Sequence, residues 1–475
     1  MSSDSSISPI KPPGRGAASG SPWRLCWTLA AGVVFLASRA WLLTCFTPWY
    51  ADVVNFDYAV RTTDLGLVPY AQVKIEYPPL AYEVMTLPRR FATERITVEQ
   101  LKKQAPAQFA AYEFRFRAIM LSAEALAFGL LLLTVAARGP DRLAMAAWAY
   151  LACSTPLAHV LDTRLDAGLL LLLMAWAWCW TLATRSRSLT FGCFAWLTVG
   201  LGVSYKLFPL VMVPLLGVAE LREPDRQSRR RRVSFACLYL LAGLVFPYLP
   251  LLSTAGRHSL DWLRFHAERG VEIESVYSAL MLLMAAIGLP VQAVQGPGSW
   301  DLASPWSSTF AGLSTWITMT ALAALFFRCV RSKAGSARDD AFRLSCLAVL
   351  VTVVLGKVLS PQFLVFALPL ALIVGIDVLE QGPTRLLAIA LCATAILTAA
   401  VFPYLFFAGT SFPYEGMTRT SPWGLVPRLD VLPVALLVAR DGLLLAVTSI
   451  LARRTWALRP LPASQAAPIA LAAQS

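Results

Sequence analysis

The chain alternates long apolar stretches with short polar connectors, and this alternation is its dominant pattern. A stretch of about 20 apolar residues is long enough to cross a bilayer as an α-helix. Twelve stretches of this kind are present, at 25–48, 115–137, 142–160, 165–183, 188–204, 207–221, 233–254, 306–328, 342–359, 361–379, 385–408 and 431–452. The pattern predicts an all-α polytopic membrane protein of about twelve transmembrane helices, with a long structured loop after the first of them.

Lysine and arginine in the short connectors predict the orientation of the bundle, because such residues concentrate in cytoplasmic loops. With a cytoplasmic N-terminus, the basic residues of every second connector fall inside the cell. They are Arg138 and Arg142, Arg185 and Arg187, the run 226–232, the set Arg328, Arg331, Lys333, Arg338 and Arg343, and the C-terminal Arg453 and Arg454. Both termini are therefore expected in the cytoplasm.

One further apolar stretch, 275–294, does not fit this count. If it crossed the membrane, the basic connector 328–343 would lie outside the cell. Backbone at membrane depth need not span the bilayer when protein or a cavity covers it. We therefore predict a re-entrant or surface-lying segment at 275–294.

The two ends of the chain differ from the apolar body. Residues 1–23 are rich in Ser, Pro and Gly, which is typical of a disordered tail. The apolar stretch that follows is too long for a signal-peptide core and has no small-residue cleavage site, so it is predicted to remain as a helix. The expected organisation is a cytoplasmic tail at 1–23, one transmembrane domain at 24–455 and a second cytoplasmic tail at 456–475.

Composition supports the membrane class and removes other classes. Hydrophobic residues make up 57% of the chain and charged residues only 15%, whereas soluble domains carry about 25% charged residues. The net charge of +13 lies mostly in the connectors, so it is interpreted as topology rather than as a nucleic-acid surface. The nine cysteines form no CxxC pair and no metal-ligand spacing, so neither a disulfide framework nor a zinc site is indicated.

The predicted outer face collects the side chains that could carry chemistry. Carboxylates and cations on one face of a membrane protein suggest a charged, lipid-borne substrate. Each of them also has a purely structural interpretation: Lys206 and Lys357 could extend from helix ends to the interface, and Arg269 could pair with Glu272 or Glu274. The outer set is Asp52, Asp57, Glu76, Asp162, Arg164, Asp166, Lys206, His266, Arg269, Glu272, Glu274, Lys357 and Gln362.

Four stretches resemble glycosyltransferase family 87, integral-membrane enzymes of the GT-C fold that use polyprenyl-phosphate mannose and include α-1,2-mannosyltransferases. The stretches are Asp52 to Tyr58 with Gly66 to Tyr70 and Glu76-Tyr-Pro-Pro79; Lys206-Leu-Phe-Pro209; His266-Ala-Glu-Arg269-Gly270 through Glu274-Ser275; and Ser360-Pro361-Gln362-Phe363. A weaker fifth stretch is Ala439-Arg440-Asp441. The chain departs from the family pattern at Glu272, where glutamine is expected.

The resemblance implies transfer of a hexose, with mannose expected, from a polyprenyl-phosphate donor to a glycan or glycolipid acceptor outside a bacterial plasma membrane. It implies Asp52 as the general base, with Asp57 and Asp162 as alternatives, and an inverting reaction. Arg269, His266, Lys206 and Lys357 are the cations expected at the donor phosphate. Substrate binding or shaping of the site is expected from Asp57, Tyr58, Glu76, Tyr77, Asp162, Asp166, Glu274 and Gln362. Asp52 and Asp57 could hold a hard cation with their oxygens, but a metal-free mechanism is favoured because Arg and Lys can serve the phosphate. No cofactor is expected.

Two alternatives stay open at this point. A GT-C transferase that uses another polyprenyl-phosphate sugar would carry the same features. A transporter or flippase for a lipid-linked sugar would also be polytopic, but it needs polar residues along a path near the bilayer midplane. Clustering of the polar residues at one surface favours the enzyme.

Overall fold

A computed structural model describes residues 22–48, 52–91, 106–136, 140–296, 298–407, 424–426 and 428–457. The two predicted tails lie almost entirely outside these residues. The regular secondary structure of the described residues is helical apart from one β-hairpin. The longer helices are α1 (Pro22–Thr44), α2 (Val53–Asp64), α3 (Pro79–Arg90), α4 (Pro106–Ala136), α5 (Pro140–Ser154), α6 (Asp166–Ser186), α7 (Leu189–Tyr205), α8 (Val213–Leu221), α9 (Arg226–Val245), α10 (Asp261–Glu268), α11 (Val276–Ala286), α12 (Ser307–Val330), α13 (Ala337–Leu355), α14 (Leu364–Val378), α15 (Gln381–Ala399) and α16 (Val431–Ala457).

Each of the twelve predicted apolar stretches coincides with a helix, so the all-helical polytopic fold is confirmed. Among the described residues, nine helices are long and apolar enough to cross a membrane. Two more predicted spans are the shorter apolar helices Leu189–Tyr205 and Phe208–Leu221. The twelfth is α13, whose first two turns carry four charged residues, Arg338, Asp339, Asp340 and Arg343.

The centre and the rim of the bundle differ in exposure. Helix α14 lies at the centre, where every residue from Leu364 to Ile376 is buried. Helix α12 lies at the rim and exposes Trp316, Met319 and Phe327. A helix that is apolar on all sides needs either a protein core or lipid around it. Helix α14 has a protein core around it, and α12 has lipid around it.

The long first loop is structured where it is described, because it contains α2 and α3. Pro79 begins α3, at a position where the missing backbone N–H of proline breaks no helical hydrogen bond. Helix α2 packs on α3, and both contact α4. The loop is therefore held against the bundle, with Asp52 at the entrance to α2.

Segment 275–294 forms helix α11 and the start of a β-hairpin. Helix α11 has 11 residues and is about 16 Å long at 1.5 Å per residue, which is about half of the hydrocarbon thickness. It is shorter than each of the nine described helices that are long enough to cross a membrane, and the re-entrant or surface-lying placement of 275–294 stays a prediction. The two-stranded antiparallel sheet of β1 (Gln292–Gly296) and β2 (Ser299–Ala303) was not predicted.

The connectors gather at two opposite ends of the bundle. At one end, basic residues contact the ends of neighbouring helices: Arg142 Nη1 donates to the Ile376 carbonyl over 2.6 Å, and Arg338 Nη2 lies 2.6 Å from Glu220 Oε1. The alternation of helices places the candidate chemistry at the other end. Which end faces the cytoplasm stays a prediction from the basic residues.

Reporter fusions test that orientation. A reporter that is active only outside the cytoplasm should be active when fused after Thr410, which lies outside the described residues, and inactive after Arg230 or Lys333. Activity of the Lys333 fusion would mean that 275–294 crosses the membrane. The candidate side chains would then not share one face.

Candidate active site

Connectors from one end of the bundle enclose a cavity of about 150 Å³. They come from the start of α2, the loop before α3, the entrance to α6, the end of α7, the loop after α10 and the loop before α14. Many predicted site residues line this cavity, namely Asp52, Glu76, Tyr77, Lys206, His266, Arg269, Glu274 and Gln362. Residues far apart in the sequence are brought together because every second connector returns to the same end.

Asp52 is held in the cavity by an ion pair with Arg164. Both side chains are mostly buried, at 14% and 13% exposed. Burial raises the pKa of the Asp52 carboxyl above its ordinary value, and the nearby Arg164 partly opposes that change. Arg164 also lines the cavity. It was placed on the same face from sequence but was not predicted as a site residue.

Lys206 does not extend to the interface, whereas the structural interpretation requires that it does. Its Nζ lies 2.7 Å from Asp166 Oδ1 and 4.9 Å from the centroid of the Phe363 ring. Burial lowers the pKa of the Lys206 amine, and Asp166 opposes the change. Asp166 itself does not line the cavity, so it acts by positioning Lys206.

His266 and Arg269 both line the cavity. Their spacing of three residues is compatible with a shared helical face, but α10 ends at Glu268 and Arg269 has an extended backbone. Burial, followed by the charges of Arg269 and Lys206, lowers the pKa of His266 to about 4. The ring is therefore neutral near pH 7 and is not one of the cations. The backbone of Glu76 slightly opposes this lowering of the His266 pKa.

The Arg269 guanidinium has hydrogen-bonding capacity left over. Its Nη2 lies 3.5 Å from Glu272 Oε1, and among the described residues its buried Nε has no hydrogen-bond partner. Buried donors are normally satisfied, so an orphaned one suggests a ligand. Of the two structural partners considered for Arg269, Glu272 is the one present.

Glu274 is paired from across the bundle rather than with Arg269. Arg440 of α16 lies 3.2 Å from Glu274 Oε1 and also donates to the Glu274 carbonyl. Asp441 Oδ1 accepts from Arg440 Nε over 2.9 Å. Burial raises the pKa of Glu274 to about 8. The Arg440-Asp441 pair was noticed only as a weak motif, although two charges inside an apolar helix are a signal of their own.

Lys357 was predicted at the donor phosphate but is engaged elsewhere. Its Nζ donates to the backbone carbonyl of Arg269 and lies 3.4 Å from that of Ala267. It is not among the residues that line the cavity. Asp301 approaches the nearby backbone of Gly270 closely, because a Cβ at position 270 would stand 2.6 Å from Asp301 Oδ2. Lys357 and Gly270 therefore shape the loop that presents Arg269.

Asp57 and Asp162, the alternative bases, lie outside the cavity. Asp57 is buried within 2.5 Å of Arg61 Nη2 and 3.7 Å of Arg89 Nε. Asp162 lies 2.8 Å from Arg117 Nε, and the same guanidinium donates to the carbonyl of Phe46 over 2.9 Å. Both carboxylates hold helices and loops together. These contacts favour Asp52 over either alternative.

Aromatic side chains also line the cavity, and sequence reasoning did not predict them as site residues. They are Phe265, Trp300, Phe363, Phe402, Phe406 and Phe407. Phe406 and Phe407 stand edge to face, with ring centroids 4.8 Å apart. Gln362 Oε1 accepts from the Ser360 hydroxyl over 2.8 Å. The cavity thus combines charged and aromatic lining residues.

A second cavity, of about 440 Å³, adjoins the first and shares Asp52, Glu76 and Tyr77 with it. Its other polar lining residues are Asn55, Tyr58, Thr62, Gln72 and Lys74. Tyr58 is thus placed here and not in the first cavity. Asp52 lies between the two spaces, which the sequence did not predict.

In the described part of the chain, no group of three or more His, Cys, Asp or Glu side chains could hold a metal ion. The expectation of a reaction without a metal stays a prediction. Arg164, Lys206 and Arg269 are the cationic side chains that line the first cavity.

The fold and the site define a polytopic α-helical membrane protein with a charged and aromatic cavity at one end of its bundle. No family model matches the chain, and no curated protein matches it. Among solved structures it is similar to ArnT from Cupriavidus metallidurans in the apo state, at 16% identity and a TM-score of 0.38. The match covers 92% of this chain and 77% of that one.

Proposed function

We propose that the protein is a membrane glycosyltransferase of the GT-C type. It moves a hexose, with mannose expected, from a polyprenyl-phosphate donor to a glycan or glycolipid acceptor at the outer face of the plasma membrane. One observation carries the proposal. Asp52 stands between a cavity lined by cations and aromatic rings and a second, polar cavity, which is the position a general base needs between donor and acceptor.

The first cavity suits the donor. A lipid phosphate gains charge as its bond to the sugar breaks, and fixed cations aimed at it stabilise the transition state. Arg269 and Lys206 supply positive charge, and Arg269 Nε is a buried donor without a partner among the described residues. The rings of Phe402, Phe406 and Phe407 offer apolar contact for the first isoprenyl units.

Asp52 takes the proton of the attacking hydroxyl. As the acceptor oxygen bonds to the anomeric carbon, its proton passes to the Asp52 carboxylate and the bond to the phosphate oxygen breaks. A single attack from the face opposite the phosphate inverts the anomeric configuration, and no covalent enzyme intermediate is needed. Arg164 orients the carboxylate through their ion pair.

The second cavity suits a sugar acceptor. Tyr58 is 59% exposed there, and an exposed aromatic ring can pack on the apolar face of a sugar. Asn55 and Gln72 can donate and accept hydrogen bonds to hydroxyl groups. A hydroxyl bound in this space would approach Asp52 from the side opposite the donor.

The transporter alternative receives less support. Transport requires a polar path through the bundle, whereas the central helix α14 is buried and uninterrupted by polar residues from Leu364 to Ile376. The charged lining comes from connectors at one end. That arrangement favours chemistry at a surface over passage across the membrane.

Transfer assays test the proposal and separate the possible donors. Membranes from cells that overexpress the protein are supplied with radiolabelled polyprenyl-phosphate mannose, glucose and pentose in turn. Transfer from the mannose donor is expected, and membranes carrying Asp52→Asn provide the matched background. Transfer from another member of the panel would replace mannose as the donor sugar. Movement of the intact donor across the membrane of proteoliposomes, without transfer of its sugar, would support the transporter instead.

The pH dependence of kcat/KM should follow the protonation of Asp52. The base acts only when deprotonated, and burial raises its pKa, so kcat/KM should be lost as the pH falls through that raised pKa. Because Arg164 lowers the Asp52 pKa, Arg164→Gln should move this acid limb to higher pH. Arg257→Gln, an exposed residue of the same end, should leave the limb unchanged. An unshifted limb in Arg164→Gln would assign it to another group.

A further inference from the structure

A third cavity, of about 430 Å³, lies at the end of the bundle opposite the candidate active site. It is bounded by the starts of α1, α5 and α15. Its lining combines cations with indole rings: Arg24, Arg142, Arg385, Trp23, Trp27 and Trp148. Among the described residues that line it there is no Asp or Glu. This composition is unlike that of either cavity at the other end.

The tryptophans mark the depth of the cavity. Indole rings concentrate at the level of lipid headgroups. Trp23 and Trp27 stand edge to face with centroids 5.1 Å apart, and Trp27 and Trp148 are 5.8 Å apart. Trp23 and Trp27 are 61% and 42% exposed. The cavity therefore opens at the interface between bilayer and water.

The donors of the cavity match an anionic headgroup. Trp148 Nε1 is a buried N–H without a hydrogen-bond partner among the described residues. Arg142 uses one Nη on the Ile376 carbonyl, over 2.6 Å, and Arg385 is exposed. Two guanidinium groups and an indole N–H can donate together to the oxygens of a phosphate. Basic pockets between transmembrane helices bind the headgroups of anionic lipids in this way.

The surface beside the cavity can receive acyl chains. Leu386 and Ile389 of α15, which follow the lining residue Arg385, are 68% and 65% exposed. These side chains continue from the cavity toward the bilayer core along α15. A molecule with a phosphate at one end and apolar chains at the other is complementary to both parts.

We propose that this cavity binds the phosphate headgroup of an anionic phospholipid in the leaflet at the basic end of the bundle. The predicted orientation makes this the cytoplasmic leaflet. The site holds about one lipid. It is independent of the proposed glycosyl transfer, because it shares no lining residue with either cavity at the other end. A bound lipid would tie α1 to α5 and α15.

Native mass spectrometry of the purified full-length protein tests the site. The protein is mixed with phosphatidylglycerol or phosphatidylcholine of equal chain length, and retained lipid is counted. The wild type should prefer phosphatidylglycerol. Arg142→Gln with Arg385→Gln should weaken that binding by about thirtyfold, the effect of two arginines near an anionic headgroup.

Control variants separate a built site from general attraction. Arg230→Gln with Lys333→Gln removes the same charge from exposed positions outside the cavity and should retain the preference. Trp148→Phe keeps a ring but removes the N–H, and should weaken binding by about fivefold. If the double variant does not fold, Arg385→Gln alone replaces it in the test, because Arg385 is exposed. Equal binding of the two lipids by the wild type, or equal loss in the control pair, would overturn the proposal.

Discussion

Asp52→Asn should lower turnover by about 10²- to 10⁴-fold, the contribution that a positioned general base makes. Asparagine keeps the size of the side chain but cannot accept the proton of the attacking hydroxyl. Donor binding should persist, because Arg269 and Lys206 line the cavity independently of this carboxylate. The measurement is the rate of sugar transfer per amount of folded protein, with the folded amount taken from a gel-filtration peak in detergent.

Asp57→Asn is the matched control, since it makes the same chemical change five residues along the chain. Asp57 is buried against Arg61 and Arg89 and does not line the cavity. Removing one partner of a buried ion pair costs about 3–5 kcal/mol, so this variant should lose thermal stability while each folded molecule retains its turnover. Near-normal turnover in Asp52→Asn would move the base elsewhere, and a loss of folded protein in that variant would give Asp52 a structural role.

Helix positions and their shared end could be predicted because the bilayer imposes them. A spanning segment must satisfy its own backbone and be apolar for about 20 residues, so the sequence shows each span directly. Short connectors place each loop at one of the two ends of the bundle. Because successive connectors alternate between these ends, Asp52, Lys206, Arg269 and Gln362 are assigned to the same end. Their meeting in one cavity follows from counting helices rather than from any contact visible in the sequence.

Partner choice at that end could not be predicted, because it depends on side-chain geometry within a few ångströms. Arg164 and Glu272 were both visible as charges, but which carboxylate or cation each would face was not. Glu274 pairs with Arg440, 166 positions later. The neutral state of His266 depends on burial and on two neighbouring cations. Hairpin β1–β2 was hidden because its first strand continues an apolar stretch.

Arg269→Lys should lower kcat/KM for the lipid-phosphate donor by about 10²- to 10³-fold, the effect of losing one well-placed donor to a developing anion. Lysine keeps the charge but loses the planar fork that can meet two phosphate oxygens. The amount of folded protein should be unchanged, because the contact of Arg269 with Glu272 is a long one, 3.5 Å. Steady-state kinetics at varied donor concentration measure the change.

Two variants separate this role from a structural one. Arg264→Lys makes the same substitution at a side chain that is 84% exposed, and it should show wild-type kinetics. Glu272→Gln keeps an acceptor for Arg269 and should be mild, whereas a loop that depends on the salt bridge would lose folded protein in this variant and survive Arg269→Lys. Wild-type kinetics in Arg269→Lys would pass the leaving-group role to Lys206, because Lys357 already donates to the Arg269 carbonyl and does not line the cavity.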